Sequence, residues 1–128
     1  YNSEENKVMA ETRKILNDAD LNMTVTGVRV PVLRAHTEIV SVTFDRPIEL
    51  EAARDALSNA PGVTVVDDPE GNHFPMPNEA TGQDNVLVGR LRRDGSEPNT
   101  LNLMICGDQL LKGAALNAVQ IAETLRSH

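Results

Sequence analysis

The strongest constraint on this chain is an abrupt change of hydrophobic period. In EIVSVTF, apolar and polar residues alternate strictly, so Val40, Val42 and Phe44 share one face of a strand while Ile39, Ser41 and Thr43 share the other. Directly after Arg46-Pro47 the spacing becomes helical, with Leu50, Ala53 and Leu57 on one stripe, until Pro61-Gly62 stops it. A chain that needs both periods within twenty-odd residues must pack helices onto a sheet. This predicts an α+β fold with a mixed, largely antiparallel sheet covered by helices.

The rest of the pattern extends that frame. Ser3 is expected to cap a helix over residues 3 to 17, with Glu4 and Glu5 complementing its dipole, Val8, Thr12, Ile15 and Leu16 on one face, and Asn17-Asp18 at its end. The β-branched run TVTGVRVPV predicts a strand over about residues 23 to 30, interrupted by Gly27 and Pro31. VTVV, residues 63 to 66, reads as a short strand. Residues 67 to 84 contain three prolines and two glycines without a period, and are expected to form an irregular excursion. NVLVGRLRRD and TLNLMIC predict two antiparallel strands joined around Gly95 to Asn99, and Asp108 is placed to cap a helix from about Leu110 to Arg126. The stripe Leu111, Ala115, Ala118, Ala122 and Leu125, widened by Leu110, Ala114 and Ile121, is broader than one contact face requires.

At 128 residues the chain fits one domain. Its aromatics are only Tyr1, Phe44 and Phe74, so Val, Leu, Ile, Ala and Met must fill the core. A net charge of −7 argues against a nucleic-acid partner. The one basic group, Arg90, Arg92 and Arg93, alternates with Val88 and Leu91 as the solvated face of a strand. No apolar run reaches the ~20 residues that span a bilayer, so no membrane partner is expected. The single cysteine, Cys106, closes an apolar run as a core residue and fits a reducing, cytoplasmic setting.

No GxGxxG turn, phosphate-cradling GK loop, HExxH or CxxC spacing is present. What stands out is GVRVPVLRAHTE, which sets Arg29 and His36 in an apolar, strand-like context. A guanidinium fork suits a carboxylate and an imidazole titrates near neutral pH, so the pair could hold an acidic substrate beside a proton shuttle. By composition alone, a surface arginine and a satisfied structural histidine are the commoner outcome. A shared site also requires the chain to turn between them. A continuous strand would hold them roughly 23 Å apart, at about 3.3 Å per residue, and on opposite faces.

This segment resembles the RVPVxxxH block of the aspartate-semialdehyde dehydrogenases, and two further blocks match in the same order. EENKVMAETRKIL, residues 4 to 16, is similar to the family's EExKM…ET…KIL helix, and GDQLLKGAALNAVQIAE, residues 107 to 123, to its C-terminal signature. DDP, PMP and VGRLRRD between them are also family-like. Gly27, where the family commonly has Cys, and Val8-Met9, where Lys-Met is usual, depart from the pattern.

The resemblance implies the C-terminal dimerisation and substrate-binding domain of an enzyme that reduces L-aspartyl 4-phosphate to L-aspartate 4-semialdehyde with NADPH. In the family a cysteine of the nucleotide domain attacks the acyl phosphate, and the thioester is then reduced. By matched position His36 would be the acid/base, Arg29 would hold the substrate α-carboxylate, Glu4 the amino group and Lys7 the phosphate, while Gln109 would contact the nicotinamide of NADP. A homodimer is implied. The whole chain, 1–128, would be this one domain, its last helix, 110–126, packing on the nucleotide domain. By itself the chain would be inactive, having neither that cysteine nor a nucleotide fold. Two other readings stay open: a non-catalytic dimerisation or binding module, and a domain of the N-acetylglutamyl-phosphate reductase kind, whose substrate offers no free amine to Glu4.

Overall fold

The computed structural model describes residues 1–126. The chain divides into two compact units, Tyr1–Pro31 and Val32–His128.

In the first unit, helix α1 spans Ser3–Leu16. Its N-terminus is closed by a capping box built on Asn2: the Asn2 side chain accepts from Glu5 N at 2.9 Å, and Asn2 N donates to Glu5 Oε2 at 2.8 Å. Ser3, the expected cap, is therefore already inside the helix. Asn17, in the left-handed conformation (φ 54°), ends it, and its N–H and that of Asp18 reach back to the last carbonyls. The predicted strand over residues 23 to 30 is not formed, and no ladder includes any of these residues. Their β-branched side chains favour extended backbone, but a strand exists only by pairing. This segment is instead tied to α1 by side chains: Gly27 N donates to Glu5 Oε1 at 2.8 Å, and the Tyr1 and Thr24 hydroxyls share a 2.8 Å hydrogen bond.

The second unit is built on one four-stranded sheet. Its strands are β1 (His36–Thr43), β2 (Val63–Val65), β3 (Val86–Arg93) and β4 (Thr100–Gly107), in the order β1-β4-β3-β2. Both contacts of β4 are antiparallel and β2 runs parallel to β3, giving the mixed, largely antiparallel sheet that the patterning predicts. The alternation is kept through β1 and the residue after it, with Val40, Val42 and Phe44 half-buried and their neighbours exposed. Helix α2 (Leu50–Ser58) packs on β2 and β3, with Leu50, Ala53 and Leu57 half-buried. The short helix α3 (Pro77–Ala80) packs on β4 and adds order to the excursion, which also contains a bridge between Asp68 and His73. Ala80 joins Ala35, Leu87 and Cys106 in a buried cluster lined by Val66 and Met104. Cys106 is thus a core residue. Its Sγ lies 3.2 Å from the Thr37 hydroxyl, and burial pushes its thiol pKa up.

The β3–β4 hairpin is organised by Asp94. Its Oδ1 accepts from Ser96 N, Ser96 Oγ and Glu97 N, and its Oδ2 from the Asn102 amide. The ladder carries a bulge between Gly89 and Arg92, where Arg90 takes φ 54° and donates its N–H to Asp67 Oδ1 at 2.8 Å. The basic group is solvated as expected, but it is not a plain alternating face. Arg90 lies over the Phe74 ring, 4.8 Å from its centroid, and Arg93 pairs with Glu49 at 2.9 Å.

The last helical segment opens with a π-helical turn, Leu111–Ala115, before α4 (Leu116–Arg126), and is not α-helical throughout as expected. Of the stripe named from the sequence only Leu111 is half-buried; Ala115, Ala118, Ala122 and Leu125 are exposed, as are Leu110, Ala114 and Ile121 beside it.

Candidate functional site

Arg29 and His36 are separated by a break in regular structure. The backbone bends at Pro31, Leu33 and Arg34, Ala35 adopts φ 75°, and strand pairing starts only at His36. No unbroken strand joins the two. Proline at position 31 lacks the N–H for a ladder and restricts Val30 before it, which gives the break a local cause.

His36 is the first residue of β1, in register with Gly107 at the end of β4. It is exposed, and its ring makes no hydrogen bond among the described residues. The satisfied core histidine that composition favoured is therefore not what is found. His73 shows the contrast, with its Nε2 held 3.0 Å from both carboxylate oxygens of Glu79.

The backbone leading into His36 is held by the chain that follows β4. Arg34 Nη2 lies 2.7 Å from Asp108 Oδ2, and Gln109 Oε1 accepts from Ala35 N at 2.7 Å. Asp108 is fully buried and also accepts from Gly82 N at 2.7 Å and Leu110 N at 2.9 Å. The role expected of Asp108, a helix cap, is thus only part of what it does. Burial alone would push its carboxyl pKa up. The two backbone donors and the Arg34 guanidinium outweigh that and hold it down, from 3.8 to about 2. Neither Arg34 nor the burial of Asp108 was read from the sequence. A charged residue inside the apolar run VPVLRAH was the available signal, since a charge in such a run needs a partner.

A depressed carboxyl pKa adds stability that is complete above the unfolded value and is lost as pH falls through the folded one. The gap in thermal midpoint between the wild type and Asp108→Asn is expected to be several degrees at neutral pH and to close between pH 3.8 and about 2. Asp94, lowered by the Asn102 amide and the Ser96 and Glu97 donors, titrates in both proteins and cancels. A gap that stays constant across acid melts would show that Asp108 is not held in this way.

The other named residues lie in the first unit. Glu4 and Lys7 stand one turn apart on α1 and pair at 2.7 Å, both well exposed, and the Glu4 carboxylate raises the Lys7 pKa. Arg29 is exposed and makes no ion pair or hydrogen bond among the described residues. Glu4 and Lys7 thus satisfy each other, whereas Arg29 and His36 have their polar groups free.

Comparison with known proteins identifies the class to which this α+β chain belongs. The family model described as semialdehyde dehydrogenase, dimerisation domain, matches residues 1–112. The chain belongs to the semialdehyde dehydrogenase dimerisation-domain family. Among its relatives, the aspartate-semialdehyde dehydrogenase of Synechocystis sp. is 58% identical over 125 residues, which is 98% of this chain and 37% of the relative. That of Aquifex aeolicus is 47% identical over 125 residues, again 98% and 37%. Among solved structures, aspartate semialdehyde dehydrogenase II from Vibrio cholerae, complexed with ASA, superposes with a TM-score of 0.91 at 42% identity, covering 99% of this chain and 37% of that one. The chain thus spans little more than a third of the length of these relatives.

Proposed function

We propose that this chain is the substrate-binding and dimerisation part of an aspartate-semialdehyde dehydrogenase. The complete enzyme would reduce L-aspartyl 4-phosphate to L-aspartate 4-semialdehyde with NADPH and release of phosphate, in the biosynthesis of lysine, threonine and methionine. The observation that carries the reading is His36, exposed and unpartnered within the block RVPVLRAH, in a chain 58% identical to an enzyme of that name.

In this reading His36 takes the proton of a cysteine thiol supplied by the rest of the enzyme, and later manages the proton at the hemithioacetal oxygen. An imidazole with no competing hydrogen bond suits this role. Arg29 offers its free guanidinium to the substrate α-carboxylate as a planar, bidentate donor. Glu4 meets the substrate amino group and Lys7 the phosphate, each exchanging its partner on α1 for the substrate.

NADPH, when bound, would supply the reducing equivalent and leave as NADP. Gln109 suits a contact with its nicotinamide amide, because Oε1 is engaged by Ala35 N while the Nε2 donors have no partner among the described residues. The dinucleotide itself would be held by the nucleotide domain. Within this chain the only cysteine, Cys106, is buried in the core, so the isolated chain is proposed to have no turnover. A homodimer fits the family's description as a dimerisation domain, and the cytoplasm fits the free thiol. Among the described residues no helix is long and apolar enough to cross a membrane.

The test is steady-state kinetics of Arg29→Lys in the complete enzyme. Lysine keeps the charge but loses the fork. KM for aspartyl phosphate is therefore expected to rise by about tenfold or more, the scale of one lost charged hydrogen bond. KM for NADPH should move far less. An unchanged substrate KM would remove Arg29 from the site.

A further inference from the structure

We propose that Gln109 is a positioning residue for His36, acting through the backbone of Ala35. This rests on the reading of His36 as the acid/base and goes beyond the cofactor contact assigned to Gln109 above.

Ala35 carries a Cβ yet adopts φ 75°, in the left-handed region that side chains other than glycine rarely occupy. It is also buried, at 4% exposure, so its N–H is removed from water and needs an acceptor. Gln109 Oε1 supplies that acceptor at 2.7 Å, from a residue 74 positions away in sequence. The bond therefore does two things at once: it satisfies a buried donor and helps hold a backbone conformation that would relax without it. His36 is the next residue, so the Ala35 conformation sets the direction from which the chain enters β1 and presents the imidazole.

The anchor is itself fixed. Three consecutive residues, the last of β4 and the two after it, hold three consecutive residues before and at β1: Gly107 is in register with His36, Gln109 bonds Ala35, and Asp108 pairs with Arg34. Asp108 is in turn tied to Gly82 N and Leu110 N. A catalytic group held in this way keeps its geometry without any hydrogen bond to its own ring, which stays free for proton transfer. The amide nitrogen of Gln109 is a separate atom and remains available to the cofactor.

Two substitutions in the complete enzyme separate these roles. Gln109→Leu removes the acceptor at nearly constant length and is expected to lower kcat by about tenfold to a hundredfold, the scale of a misplaced catalytic group. Gln109→Glu keeps an acceptor of the same reach but loses the amide donors, so it should recover most of that kcat while KM for NADPH stays raised. Ala35→Gly, which takes φ 75° without the strain of a Cβ, should recover part of the kcat lost in Gln109→Leu when the two are combined, because both act on one element. The inference is overturned if Gln109→Leu raises only KM for NADPH at normal kcat, if Gln109→Glu loses as much kcat as the leucine variant, or if Ala35→Gly recovers none of the kcat lost in Gln109→Leu. The glutamate comparison remains decisive even if the leucine variant folds poorly. His36→Asn is the control: near-normal turnover there would remove the underlying role of His36, whereas low turnover there with normal kcat in Gln109→Leu would remove this inference alone.

Discussion

Replacing His36 by asparagine in the complete enzyme is expected to lower turnover by about a hundredfold or more, the usual scale for loss of a general acid/base. Asparagine has similar bulk and can hydrogen bond, but it cannot exchange a proton near neutral pH. The fold should not change, because the ring is exposed and bonded to nothing among the described residues, and the neighbouring anchors belong to Arg34 and Ala35. The thermal midpoint should therefore stay within a degree or two of wild type while kcat collapses. A variant that turns over at a near-normal rate would refute the acid/base role, and one that loses both activity and stability would mean that His36 is structural after all.

Gly89→Ala is expected to have the opposite signature, a large loss of stability from the smallest possible side chain. A Cβ at this position would lie 2.0 Å from Val66 O and 2.6 Å from Pro75 Cδ. The first contact is with backbone, just beyond the parallel β2/β3 pairing, where Val66 N donates to Val88 O at 2.8 Å. No rotamer change can relieve it, so strand and excursion must separate. Overpacking of this kind costs about 3 kcal/mol or more, a large share of the roughly 5 to 15 kcal/mol that holds a domain together. Gly95→Ala is the matched control, since a Cβ in that turn meets nothing within 4 Å. Urea titration of both variants tests the contrast, and equal midpoints would disprove the crowding argument.

Prediction from sequence succeeded here wherever the signal was local. Helix α1 was visible in its acidic first turn and its end at Asn17, and only its cap was misplaced by one residue, because Asn2 and Ser3 are both good caps and Glu5 stands three residues beyond Asn2. β1, α2 and the β3–β4 hairpin followed from period and punctuation. TVTGVRVPV failed for a nonlocal reason: β-branched composition describes a preference for extended backbone, whereas a ladder needs a neighbour, and the hydrogen bonds of this segment go to Glu5 and Tyr1 instead. The site divided in the same way. Glu4, Lys7, Arg29, His36 and Gln109 could be named because the motifs carrying them are contiguous, and the break after Pro31 could be expected from the chemistry of proline.

By itself, then, the sequence determined the class of fold, most of the elements and the family, and it named the residues proposed to bear the chemistry, since each is written in spacing a few residues long. Only the tertiary structure decided the strand order β1-β4-β3-β2, the bulge that turns Arg90 onto Phe74, the burial of Asp108 against Arg34, and the grip of Gln109 on Ala35. These are contacts between residues far apart in the chain. Their formation depends on which surfaces remain to be buried, and which buried donors and acceptors remain to be paired, once the whole sheet has assembled.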